Sequence, residues 1–412
     1  MLEYKKNKLL SKVYHYVLLL ISKFIKTTFI KPYIGIKQYD LLIFDDIFPY
    51  EKSLFRYIEF NNYLEGFKKT KVVSTGTALT VLNANKTIAQ VIKDFKLENP
   101  SNKSFKIIEH KGLVNFNAKL IYCIFLNNIY GIIDFVDKHK IPFIFTLYPG
   151  GGFRLNDETS DKKLTRILNS PNLKKIIATQ NITYDYLIDN HNCPEHLIEY
   201  IFGVVSNTTI DNAKIDYKKW KVNKDTFDIC FMAGRYTPQG IDKGYDTFIA
   251  VAKELNKEYE FIRFHIVGGF DHKVIEVSDL GDNITFYGYR DSDFLNHFFS
   301  KIDLIISPNV PFKLSNGAFD GFPLGCCVEA SLNGVAVLAS DELNQNDGYI
   351  PNEEIIIIKP NASDILLAVK DLITNYHKMI ELAERGRLKT LKLYSKEAQL
   401  ERRNNLLKEL IQ

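Results

Sequence analysis

Two loops of this 412-residue chain concentrate residue types suited to holding an anion. The first is Gly234-Arg235-Tyr236-Thr237-Pro238-Gln239-Gly240-Ile241-Asp242-Lys243-Gly244, in which Arg235 brings a bidentate guanidinium and Lys243 a point charge. The second runs Asp320-Gly321-Phe322-Pro323-Leu324-Gly325-Cys326-Cys327-Val328-Glu329. There Gly321 and Gly325 let backbone approach a ligand, Pro323 is expected to preset the first turn of a helix, and the helix start offers free N–H groups to phosphate. Glu329, about a turn further on, is placed to accept hydrogen bonds from sugar hydroxyls, while Asp320 stays on the loop. Together these groups suit a nucleoside diphosphate.

Both loops must be positioned by strands. Period-2 and continuous apolar runs predict strands at Asp40–Phe48, Lys71–Ser74, Phe105–Glu109, Leu120–Phe125, Pro142–Leu147 and Leu173–Thr179 in the first half. A second series lies at Asp228–Ala233, Phe261–Val267, Ile284–Tyr287, Leu304–Ser307, Val335–Ala339 and Glu354–Ile358. Helical stretches such as Tyr130–Lys138 and Thr183–Asn190 alternate with them, so each half reads as a parallel α/β unit. In such a sheet ligands bind beyond the carboxyl ends of the strands, where both loops fall.

The order Arg235, Lys243, Gly268, Gly288, Asp320, Glu329 resembles that of retaining GT-B glycosyltransferases of family 4 type (glycosyl transferases group 1). In that family a Gly-Arg and a Lys-Gly pair hold the donor diphosphate, and an acid, Gly-Phe-Pro and a second acid contact the donor. The chain departs from the pattern by having aspartate as the first acid and eight residues, rather than seven, between Asp320 and Glu329. The resemblance implies a GT-B fold, α/β with two Rossmann-like domains facing a cleft. It also implies Arg235, Lys243, Asp320 and Glu329 as catalytic, and Gly234, Gly268, Tyr289, Arg290, Gly321, Phe322, Pro323 and Leu324 as donor-binding. The donor is then a nucleotide-sugar substrate, no cofactor or metal is required, and the departing phosphate helps to deprotonate the acceptor hydroxyl.

The first half offers less. Its first strand ends in Asp45-Asp46 without a glycine pair, and the glycine-rich element nearest to an acceptor or sugar loop is Gly150-Gly151-Gly152, with His110 as a further candidate. A turn and a structural histidine fit the same residues.

Composition narrows the classes. With 46% hydrophobic and 25% charged residues the chain is that of a globular protein, and a net charge of +4 over this length gives no nucleic-acid footprint. Five cysteines without a Cys-x-x-Cys pair suggest a reducing compartment rather than a disulfide framework or a structural zinc site. Within residues 1–30, Lys5, Lys8, Lys12, Lys23 and Lys26 fall within an arc of about 60° on a helical wheel. Leu10, Val13, Val17 and Phe24 lie opposite. That pattern fits a helix lying on an anionic membrane surface, or one packed on the protein's own core.

The expected organisation is the basic helix at 1–30, an acceptor domain at 31–205, a linker at 206–226, a donor domain at 227–390 and a tail at 391–412 that crosses back to the first domain. The function expected is glycosyl transfer from a nucleotide-sugar to a saccharide or lipid-linked saccharide in bacterial surface polysaccharide synthesis, cytoplasmic and peripheral on the inner face of the cell membrane. A GT-B nucleotide-sugar epimerase, or a nucleotide-sugar-binding module without turnover, fits the same motifs.

Overall fold

A computed structural model describes residues 35, 37–81, 84–100, 106–111, 116–208 and 218–412. The basic N-terminal segment 1–30 and part of the linker lie outside the described residues.

The first sheet is wholly parallel and contains β1 (Gln38–Asp45), β2 (Thr70–Ser74), β3 (Ile107–Glu109), β4 (Asn117–Ile124), β5 (Phe143–Leu147), β6 (Leu173–Ala178) and β7 (Ile198–Tyr200) in the order 3-2-1-4-5-6-7. The second contains β8 (Phe227–Ala233), β9 (Ile262–Gly268), β10 (Ile284–Gly288), β11 (Leu304–Ser307), β12 (Ala336–Ser340) and β13 (Ile356–Ile358) in the order 10-9-8-11-12-13, also all parallel. Central strands such as β5, buried at every position, read as continuous apolar runs because helices cover both faces of the sheet. β7 was absent from the sequence reading. It has three residues and only Ile198 is buried, too short for periodicity to mark it. The helix expected at Tyr130–Lys138 is two helices, Leu126–Tyr130 and Ile133–His139, separated at Gly131-Ile132.

The helix Arg402–Ile411 leaves the second domain and packs on the first. Leu406 and Leu407 join the apolar cluster of Phe60, Tyr122 and Ile144, and Asn404 donates to Asn62 across 2.8 Å. Beneath it Arg403, fully buried, donates to Gln399 Oε1 at 2.7 Å, and its Nε lies 3.8 Å from Glu59.

Between the domains the loop 315–322 is seated on the first one. Leu155 N donates to Gly317 O at 2.9 Å, and the Phe319 and Phe153 rings meet edge-on at 5.8 Å.

Candidate active site

In each sheet the chain reverses its direction of winding beside the first strand, between β8 and β11 in the second domain. The carboxyl ends of two strands diverge there and open a crevice. A cavity of ≈ 480 Å³ occupies it, walled on one side by Ala233, Gly234, Tyr236, Lys243, Gly268 and Glu329 and on the other by residues of the first domain.

Gly268 ends β9 at φ +121°, and a Cβ there would stand 1.9 Å from Ala233 O, so only glycine lets β8 and β9 stay paired to the cavity rim. Gly244 is the N-cap of the helix Tyr245–Glu258 at φ +68°, and a Cβ would meet Pro308 O at 2.0 Å. That close packing, with Val310 N donating to Asp242 O at 3.1 Å, fixes the corner from which Lys243 projects.

Lys243 is buried, and its Nζ lies 2.5 Å from Asp320 Oδ2 and 5.4 Å from the centre of the Tyr236 ring. Burial alone would lower its pKa, but the Asp320 carboxylate outweighs burial and holds the ammonium above its usual value. Asn309 Nδ2 also reaches Asp320 Oδ2 at 3.4 Å.

The helix Gly325–Leu332 starts at the cavity. Its N-cap, Leu324, has no polar side chain to cover the first N–H groups, and Leu324, Gly325 and Cys326 all line the cavity. The start is two residues later than the sequence suggested. Leu324 is extended (φ −61°, ψ 153°), so Pro323 lies ahead of the helix and not in its first turn. Glu329, on the same helix, faces the cavity, where burial pushes its carboxyl up to about 7. The Cys326 thiol beside it donates to Met232 O at 3.2 Å.

The opposite wall comes from the loop after β1 (Pro49, Tyr50, Glu51, Lys52), from Leu54 at the start of the helix Leu54–Gly66, and from the helix Ile88–Glu98, which presents Val91, Asp94, Phe95 and Glu98. Lys52 Nζ lies 5.6 Å from the Tyr289 ring of the other domain and 5.9 Å from Tyr50. Lys86 pairs with Asp94 at 2.7 Å. This wall was not picked out from the sequence. The rule that sites follow carboxyl ends of strands points to the residues after β1, and a search restricted to glycines passes over them.

Of the predicted residues, Gly234, Lys243, Gly268, Tyr289, Arg290, Leu324 and Glu329 share the cavity. Asp320, Gly321 and Phe322 line an adjoining small hollow with Ser307, Asn309 and Gln345, and Pro323 is buried next to them. Arg235 is exposed and is not among the lining residues. Gly150, Gly151 and Gly152 do not line the cavity either. They form a turn at φ +80°, +56° and +97°, in which added Cβ atoms would stand 2.2 Å from the Phe125 ring at Gly151 and 2.1 Å from the Asn127 amide at Gly152. The close approach is to the protein's own side chains. His110, beyond β3, packs edge-on against Phe44 at 5.4 Å and is likewise outside the cavity wall. Among the described residues there is no group of three or more His, Cys, Asp or Glu arranged to hold a metal ion.

Residues 214–389 match the family described as Glycosyl transferases group 1. No curated protein matches the chain. Among solved structures, the sucrose-phosphate synthase of Thermosynechococcus elongatus superposes with a TM-score of 0.60 at 14% identity, over 91% of this chain and 99% of that one. A glycosyltransferase from Rickettsia africae gives 0.61 at 15% identity, over 91% and 98%. Anabaena HepE in complex with UDP gives 0.63 at 13% identity, over 90% and 99%. The chain is thus similar over nearly its whole length to GT-B glycosyltransferases, and its fold is theirs.

Proposed function

We propose that this protein is a glycosyltransferase that moves a sugar from a nucleoside-diphosphate sugar to a saccharide or lipid-linked saccharide. The reading is carried by the cavity at the β8/β11 crevice, where the buried Lys243, the uncapped start of Gly325–Leu332 and Glu329 converge. The family match in the second domain and the UDP and UDP-glucose bound by HepE support it.

The nucleoside would lie against Val267, Gly268 and the backbone at Tyr289 and Arg290, with its diphosphate at Gly325 and Cys326. Lys243 offsets the charge that grows on the diphosphate as the anomeric carbon–oxygen bond breaks, in a site partly closed to water. Glu329 accepts hydrogen bonds from sugar hydroxyls of the nucleotide. The acceptor hydroxyl, approaching from the wall of Tyr50, Lys52 and Asp94, bonds to the anomeric carbon, and its proton passes to the departing phosphate. Retention of configuration and independence from metal follow the resemblance described for the motif.

Among the described residues no helix is long and apolar enough to cross a membrane. The spacing of lysine and apolar residues in segment 1–30 supports an anionic membrane surface, on the inner face of the cell membrane, as a partner, and the proposal extends to a role in bacterial surface polysaccharide synthesis.

The test is calorimetric titration with UDP, GDP and ADP, followed by assay of the matching nucleotide-sugars for transfer to free and lipid-linked saccharides. Transfer with release of the nucleoside diphosphate is expected. Binding without transfer would mark a binding module instead, and absence of any nucleotide binding would end the proposal.

A further inference from the structure

We propose that Gln180 of the first domain is a positioning residue for the donor-side loop of the second, so that nucleotide binding on one domain depends on an amide supplied by the other. The inference rests on the nucleoside-diphosphate reading above.

Gln180 follows β6 and occupies the N-cap of the helix Asn181–Asp189, a position at which Ser, Thr, Asp or Asn side chains satisfy a helix's own N–H groups. It does not cap that helix. The side chain instead crosses the domain seam, where its Oε1 accepts from Phe322 N at 3.3 Å. Gln180 is 3% exposed and Phe322 is 3% exposed, so this contact is sheltered from water. Its Nε2 lies under Gly321, where an added Cβ would stand 3.0 Å away. A side chain at residue 321 would press on the amide, which would have to give by a few tenths of an ångström.

The loop that Gln180 touches carries Asp320, the partner of Lys243. Asp320 is held by its backbone oxygen, which accepts from Gln345 Nε2 at 2.9 Å, and by its carboxylate, 2.5 Å from Lys243. Phe319 anchors one end in the first domain's core. Gln180 anchors the other at Phe322, two residues before the helix N-cap at Leu324, which enters the cavity. Removing the amide oxygen leaves the Phe322 N–H buried without that acceptor, and the loop must shift to recover a bond. Such a shift moves Asp320, and with it Lys243, and also the start of Gly325–Leu332. These are the groups assigned to the diphosphate.

A second amide at the same seam provides the control. Asn181 Nδ2 donates to Asn344 O at 2.9 Å, an interdomain bond that does not touch the 320–322 loop.

The experiment compares wild type, Gln180→Leu and Asn181→Ala by calorimetric titration with UDP, GDP and ADP, alongside melting of the unliganded proteins. Gln180→Leu is expected to weaken the nucleotide that wild type binds by about tenfold or more, because binding must return the relaxed loop to the position in which the buried Phe322 N–H lacks an acceptor. Asn181→Ala should keep wild-type affinity, and both should melt close to wild type. Equal affinity in wild type and Gln180→Leu overturns the proposal. So does an equal loss in Asn181→Ala, which would assign the effect to the seam in general. If Gln180→Leu does not fold, Gln180→Ala is titrated in its place, and wild-type affinity there also overturns the proposal. A wild-type protein that binds none of the three nucleotides removes the nucleoside-diphosphate reading itself, and this inference with it.

Discussion

Lys243 Nζ and Asp320 Oδ2 lie 2.5 Å apart and join the loop after β8 to the loop before Gly325–Leu332. The pair is asymmetric. The Lys243 side chain is 9% exposed and that of Asp320 is 37% exposed, so the cation is enclosed while its partner still faces water. A diphosphate entering beside Gly325 brings a competing anion of higher charge. Under the proposed function, Asp320 holds the Lys243 ammonium above its usual pKa in the free protein and would share it with the ligand on binding.

Lys243→Ala removes the only charge of this pair that can stabilise a departing diphosphate. Turnover should fall on the order of a hundredfold, about 3 kcal/mol of transition-state stabilisation. Asp320 is left in contact with water, so the fold should survive. Steady-state assay of the purified variant, with circular dichroism as the check on folding, decides the matter. Near wild-type turnover would mean that the diphosphate lies elsewhere.

The pH dependence of nucleotide binding is expected to follow Glu329. Burial pushes its carboxyl to about 7 from an ordinary 4.5, so in the free protein it holds a proton through the range where an exposed glutamate is ionised. Hydroxyl groups of a ligand donate best to the carboxylate, and binding therefore favours loss of that proton. Nucleotide affinity should rise with pH through about 7 and level off above it. For stability the sign is opposite: with the folded pKa raised, the group's contribution is complete below 4.5 and is lost as pH rises through about 7. Glu329→Gln should flatten both profiles. A variant whose affinity still climbs through neutral pH would assign the titration to another group.

The second-domain wall of the cavity was legible in the sequence because its residues fall where its strands end. Continuous apolar runs such as Leu304–Ser307 mark strands buried on both faces, and the ends of those runs locate Gly234, Lys243 and Gly268. The first-domain wall was not legible in the same way. Whether Asp94 and Glu98 of Ile88–Glu98 meet solvent or a cleft depends on where the second domain sits, which no local pattern encodes. Glycine was ambiguous for another reason. Gly151 and Gly268 both permit close approach, and a sequence does not say whether the approaching group is ligand or protein. Gln180 was missed since its partner, a backbone N–H, is 142 residues away.

The tail supplies a stability test. Arg403 and Glu59 are both fully buried, with Glu59 also accepting from Tyr63 at 2.8 Å and from Tyr122. Arg403→Met strands the glutamate among apolar residues and tyrosines and should cost about 3 to 5 kcal/mol. Adding Glu59→Gln, which removes the stranded charge, should recover a substantial part of the loss. Urea unfolding of the single and double variants measures both. Additive losses would show that the two residues do not act as a pair.

Gly151→Ala separates packing from acceptor recognition in the glycine turn. At φ +56°, with the new methyl 2.2 Å from the Phe125 ring, the substitution must push apart two elements of the first domain. Overpacking and left-handed strain together should cost about 2 to 4 kcal/mol and lower the melting temperature by several degrees. Phe125 is itself at φ +75° and Asn127 N donates to Gly151 O at 2.9 Å, so the neighbouring backbone has little freedom to yield. The cavity wall lies elsewhere, and the folded fraction should therefore retain its nucleotide affinity and its KM for acceptor. A variant that melts like wild type but has a raised acceptor KM would return these glycines to the acceptor site.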